Sequence, residues 1–133
     1  MLDRDIQRLH ELVAKDLDDD ALVLIHNLRD QGRADPELDL YQGLSIYRTR
    51  DDLECLRHLT TFVIQNPDHS KRDYALFTCA ICLINLGLED CAIGILENLP
   101  VSYPDREKEI AHCSEYIEKQ RKALRYVQPI LPE

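Results

Sequence analysis

The chain has no tryptophan, a single methionine and only four glycines in 133 residues. Those glycines, Gly32, Gly43, Gly87 and Gly94, are too scattered to form the loops that cradle phosphates on backbone N–H groups, which excludes the common nucleotide-binding motifs. An excess of positive charge is also missing. Against 16 Lys and Arg stand 25 Asp and Glu, a formal charge of −9, whereas a nucleic-acid backbone or an anionic membrane as main partner calls for Lys/Arg patches. The longest apolar run, Cys79 to Ile84, is far below the ~20 residues of a membrane-spanning helix. The start, Met1-Leu2-Asp3-Arg4-Asp5, lacks the positive and then apolar regions of a secretory signal. Disulfide pairing of all cysteines is impossible, since the five are odd in number, and they fall at apolar helical positions, as in a reducing compartment. The expectation is a cytoplasmic protein with no membrane span and no nucleic-acid partner.

What is present is helical periodicity, in a length that fits one domain burying roughly two-thirds of its unfolded surface. Apolar residues at three- and four-residue steps predict a first helix from Asp3 to Ala14, through Ile6, Leu9, Leu12 and Val13. A second begins after Asp18-Asp19-Asp20, which would supply its N-cap, and closes at Gly32. Pro36 starts a third with Leu40, Tyr41, Leu44 and Tyr47, and Asp51 opens a fourth that stops at Asn66-Pro67. Ser70 and Asp73 resemble a capping box for a fifth helix that runs to Gly87. A short sixth covers Glu89 to Leu99. A long final helix, Asp105 to about Val127, carries Ile110, Cys113, Ile117, Leu124 and Val127 on one stripe, with Gln120 inside it.

The pairs repeat. Ala21, Cys55 and Ala92 occupy equivalent anchor positions 34 and 37 residues apart, a period that in all-helical chains means stacked helix pairs. Gly87, Ala92, Ile93 and Pro104, and before them Gly43, Cys55 and Pro67, resemble the small, apolar and proline positions of the tetratricopeptide repeat (TPR). The consensus tryptophan is absent, and Arg50 stands at the mid-repeat glycine. The expected fold is therefore all-α: a TPR-like right-handed superhelix of three antiparallel pairs, about 3–32, 36–66 and 70–99, with a C-terminal capping helix at about 105–127, all in one domain. Pro36 to Leu44, and Tyr74 to Leu83 leading into Leu86-Gly87, also resemble small TPR-like proteins of bacterial type III secretion systems, the needle-subunit chaperones and Hrp-cluster proteins.

That resemblance implies a groove lined by the first helix of each pair: Ile6, His10 and Val13, then Leu40, Leu44 and Tyr47, then Tyr74, Phe77, Ile81 and Ile84. These side chains suit the apolar face of an amphipathic helix rather than an acidic peptide tail. The implied function is a chaperone that holds an aggregation-prone helical subunit, needle or pilus-like, for export, with a small co-chaperone as a further partner. The alternative is a TPR-like adaptor or scaffold for a resident protein. The stretch from Lys71 to Leu86 resembles mitochondrial-fission receptors of that kind.

Catalytic and metal readings are weaker. Cys79-x-x-Cys82 lacks a second pair of soft ligands at zinc spacing, and no strand precedes it as in a thioredoxin motif. His10-Glu11 would need a second histidine where Ala14 stands. Asp16, Asp18 and Asp20 alternate as in a calcium loop, but Ala21 replaces its glycine and Asn27 its glutamate. Cys55 and His58 lie one turn apart without an oxyanion donor. The sequence gives no reason to expect an enzyme, a metal or a cofactor.

Overall fold

In the computed structural model, which describes residues 3–48 and 51–127, seven α-helices follow one another and no strand occurs among the described residues. They are α1 (Arg4–Ala14), α2 (Asp18–Asp30), α3 (Pro36–Arg48), α4 (Asp52–Gln65), α5 (Arg72–Asn85), α6 (Glu89–Leu96) and α7 (Arg106–Val127). Each packs on its successor, and α1 also touches α3.

The helix ends show how the sequence sets these boundaries. Asp3 caps α1 by accepting the N–H groups of Asp5 and Ile6 at 2.9 and 3.1 Å, and Asp51 caps α4 through Glu54 N–H at 3.2 Å. Three helices finish in one geometry, with a residue at positive φ and a bond that reaches back five residues. Gly32 and Gly87 serve α2 and α5, with Arg33 N–H to Leu28 O at 3.0 Å and Leu88 N–H to Leu83 O at 2.8 Å. At the end of α1 the same place is held by Asp16 at φ 59°, with Leu17 N–H to Leu12 O at 2.9 Å. Asp16 thus ends a helix.

Three boundaries differ from expectation. The acidic run does not cap α2: the cap position is Leu17, and Asp18, Asp19 and Asp20 form the first turn, where carboxylates favour the positive end of the helix dipole. No capping box forms at Ser70. Lys71 takes the cap position, and its N–H donates to His69 Nδ1 at 3.0 Å. The last turn expected of α6 is replaced by Arg106, whose Nε donates to Leu96 O and Leu99 O at 3.0 and 3.1 Å and satisfies carbonyls that a longer helix would have used itself.

Two apolar clusters share α5. Ala75, Cys79 and Cys82 face a first core built from α1 to α4, with Leu9, Ile25, Leu28, Leu38, Leu59 and Phe62 at its centre. Leu76, Ala80 and Leu83 face a second, completed by Ala92, Leu96, Leu99 and Cys113. Spacings of four and three residues put each trio on its own side of the helix. At Gly43 α3 lies close against α4: an added Cβ would be 2.8 Å from the fully buried Leu59 side chain and 3.4 Å from Cys55 O. Nearby, the buried Ser45 hydroxyl has no hydrogen-bond partner among the described residues.

Two substitutions two residues apart should therefore act in opposite directions. Gly43→Ala gains helix propensity but forces Leu59 aside, and should destabilise by about 1–3 kcal/mol. Ser45→Ala removes an unsatisfied hydroxyl and should stabilise by about 1 kcal/mol. Urea denaturation followed by circular dichroism measures both.

Candidate functional site

With two sides of α5 committed to cores, its third side faces outward. Tyr74, Phe77, Ile81 and Ile84 recur there at three- and four-residue steps. Tyr74 is 51% exposed, while the other three are half-buried. Phe77 and Ile84 rest on the second core, whereas Ile81 belongs to neither cluster. Phe77 stacks at a tilt on Tyr103 of the α6–α7 connection, ring centres 5.3 Å apart. Tyr47 at the end of α3 is half-buried against the first core. Burial foremost pushes the Tyr47 phenol up, followed by Cys82, Asp52, Cys55 and Tyr74. Burial and then Tyr74 and Asp73 do the same for Tyr103. Tyr74 is thus an electrostatic neighbour of both, and Tyr47, Tyr74, Phe77 and Tyr103 give this side of the molecule its aromatic character.

The remaining expected groove residues lie elsewhere. Val13, Leu40 and Leu44 are buried in the first core and offer no surface, because α1 and α3 turn these positions onto α2 and α4. Ile6 is half-buried on the same core. His10 is exposed, with Nδ1 2.7 Å from the hydroxyl of buried Tyr41 and the two rings edge to face. Tyr103 was not legible as a site residue, since a loop tyrosine before Pro104 has no periodicity. At one end of the aromatic surface a cleft of about 510 Å³ is lined by Tyr47, Arg48, Asp52 and Asn85, and Asn85 donates to Asp52 Oδ1 at 3.2 Å.

Beneath this surface Cys55, Cys79 and Cys82 are buried together. The neighbouring Cys82 thiol foremost, with burial, pushes Cys55 well above its ordinary 9.0, and burial pushes Cys79 up to about 12. Protonated, desolvated thiols are poor nucleophiles and poor ligands. His58 is also engaged away from Cys55, lying 3.3 Å from Asp39, which in turn takes Arg29 at 3.1 Å. Among the described residues no three His, Cys, Asp or Glu side chains gather as a metal site requires, and no helix is long and apolar enough to cross a membrane.

No family model, curated protein or solved structure matches the chain. The site must therefore be interpreted from its own geometry. It is a largely aromatic face on a helix packed from two sides, with a polar recess beside Tyr47.

Two chemical measurements check this picture. Cys91 is the exposed thiol, while Cys55, Cys79, Cys82 and Cys113 are buried. Ellman's reagent should therefore titrate one thiol quickly in the native protein and the other four only on unfolding. The buried thiols Cys55, Cys79 and Cys113 and the phenols of Tyr41, Tyr47 and Tyr103 are all held above their ordinary 9.0 and 10.0. Because the folded chain favours their neutral forms, this stability is fully present below pH 9.0 and is lost as the pH rises through the folded values. Melting temperature should hold up to pH 9.0 and fall above it, with half of the six tyrosines ionising late by absorbance at 295 nm.

Proposed function

We propose that the chain is a TPR-like binding protein that holds an amphipathic helix of a partner polypeptide against the aromatic face of α5. The carrying observation is that Tyr74 and Ile81 stand on the outward side of a helix whose other two sides are buried, flanked by Tyr47 and Tyr103. Tyrosine on a fixed backbone gives large contact area at small entropic cost, with a hydroxyl for the partner's polar edge. Helix-in-groove recognition needs apolar anchors at such steps, met by the partner's own.

A chaperone for an export subunit fits this chemistry. Subunits that assemble through amphipathic helices must be masked until delivery, and the sequence resemblance to type III secretion chaperones suggests a needle or pilus-like subunit as the occupant. The organisation into successive helix pairs also suits a TPR-like superhelix. An adaptor for a resident partner would use the same face. The two readings differ in whether the partner leaves the complex.

A photo-crosslinking residue placed at position 74 or 81 in the source cell should capture one discrete partner, and the same residue at exposed position 23 or 64 on α2 or α4 should not. Tyr74→Asp with Ile81→Asp should weaken binding of the captured partner by about thirtyfold or more, the effect of losing a contact worth ~2 kcal/mol. Both side chains lie outside the cores, so the melting temperature should stay within a few degrees of wild type. Unchanged affinity in the double variant would remove the aromatic face as the binding surface.

A further inference from the structure

The first half of α7 packs onto the second core through Ile110 and Cys113. Its stripe continues one and three turns further as Tyr116, Ile117, Ala123 and Leu124, but beyond Ile117 every described side chain is exposed, Leu124 at 64% and Tyr126 at 84%. The reason is length. A helix of 22 residues spans about 33 Å, and the eight residues of α6 beneath it about 12 Å. Arg106 ties the start of α7 to the end of α6, so α7 runs back toward the end where α6 begins and overshoots it. The overshooting half is also the one basic stretch of an acidic chain. Lys119, Arg121, Lys122 and Arg125 occur there without an intervening acid, and Lys122 and Arg125 have no carboxylate partner among the described residues.

The opposite chemistry lies at the end that α7 overshoots. The α1–α2 turn, the start of α4 and the α5–α6 turn are aligned there, as Arg48 shows by bonding Val13 O at 2.9 Å and Asp18 at 2.8 Å, and Asn85 by bonding Asp52. Each exposes leucine among acids: Leu17 beside Asp19 and Asp20, Leu53 at 67% exposure beside Asp51, and Leu86 and Leu88 beside Asp90. Asp19, Asp20 and Asp90 have no cationic partner among the described residues. The cleft beside Tyr47 opens among these turns.

We infer that the distal half of α7 docks on the leucine-bearing acidic end of a second copy of this chain, so that two copies exchange arms about a two-fold axis. Arm and acceptor project from the same end, so exchange is reciprocal and the assembly closes as a dimer. A specific interface removes about 1,200–2,000 Å², and reciprocity lets each arm supply half of that. Pairing of α7 with α7 is disfavoured, because Lys119 and Arg121 flank the stripe on either side and would meet their own copies. This contact adjoins the aromatic face of α5 at the Tyr47 cleft and is built on other residues than Tyr74, Phe77 and Ile81.

Sedimentation of the full chain should give twice 15.5 kDa at micromolar concentration, with dissociation favoured by high salt. One variant carries Arg121→Glu, Lys122→Glu and Arg125→Glu, and a second carries Asp19→Lys, Asp20→Lys and Asp90→Lys, all at exposed positions outside the cores. Each alone should sediment as monomer with a native circular dichroism spectrum, its dimer constant weakened about a hundredfold or more. Mixed in equal amounts they should recover the dimer, since each arm then meets an end of opposite charge. A monomeric wild type at 100-fold higher concentration, a dimer that survives the acidic-end reversal as α7–α7 pairing would, or a mixture that stays monomeric would each overturn the inference.

Discussion

The whole structure hangs on the burial of α5 from two sides. A surface helix shows one apolar stripe, but this one must show two, and the requirement explains why Cys79 to Ile84 is the chain's longest uninterrupted apolar run. Small side chains make the arrangement possible. Ala75, Cys79 and Cys82 let α4 approach on one side, and Ala80 lets α6 approach on the other. Leu56 and Val63 of α4 touch both clusters, so the two cores are coupled through one helix and part of another rather than joined by a loop. Since α5 cannot rotate without opening both cores, whatever its third side presents is held still. That restraint holds Tyr74 and Ile81 at fixed positions on the surface.

Arginine does the joining at the surface. In a chain with so many carboxylates, three guanidinium groups bridge between turns. Arg33 ties the α2–α3 connection to Asp3 at the start of α1 and to Asp35, both at 2.8 Å; it holds the Asp35 carboxyl below its usual range, as the Ile6 N–H foremost, with the Asp5 N–H and Arg33, does for Asp3. Arg48 joins the end of α3 to the end of α1 and the start of α2. Arg106 reaches the carbonyls at the end of α6 and pairs with Glu107. Exposed ion pairs contribute little one at a time. Their value here is geometric, because a planar fork that takes two acceptors fixes the angle at which a turn leaves its helix.

Periodicity and cap chemistry made the helices readable, and the ends that came out as expected are those with a local cause: Asp3, Pro36, Asp51, Asn66 and the two glycines. The errors have causes too. Asp16 stands in the sequence as one of three alternating acids with Asp18 and Asp20, since positive φ at a non-glycine residue leaves no mark in composition. Ser70 lost to His69, whose ring is held by Phe62 and Glu37 from other helices, information no window of sequence contains. Val13, Leu40 and Leu44 were assigned to an open groove because apolar spacing tells which side of a helix is greasy, not whether another helix covers it. On α5 the expected positions keep surface, because the two other sides of that helix are the ones that pack the cores. Tyr103 had no periodic neighbours and could be found only from its contact with Phe77.

The bond from Arg106 back to Leu96 and Leu99 also fixes an order of events on the ribosome. Among the described residues, the buried set of the first core is complete once residue 82 has emerged, for none after Cys82 contributes to it. The second core has to wait for Cys113, and α6, at eight residues, is too short to persist alone while its end carbonyls lack the guanidinium that satisfies them. Synthesis at roughly 5–20 residues per second leaves a pause of a second or more between the two. During it, α5 sits on a finished core with Leu76, Ala80 and Leu83 bare. The nascent chain therefore passes through a stage with a sticky flank of its own, closed only by its last helix.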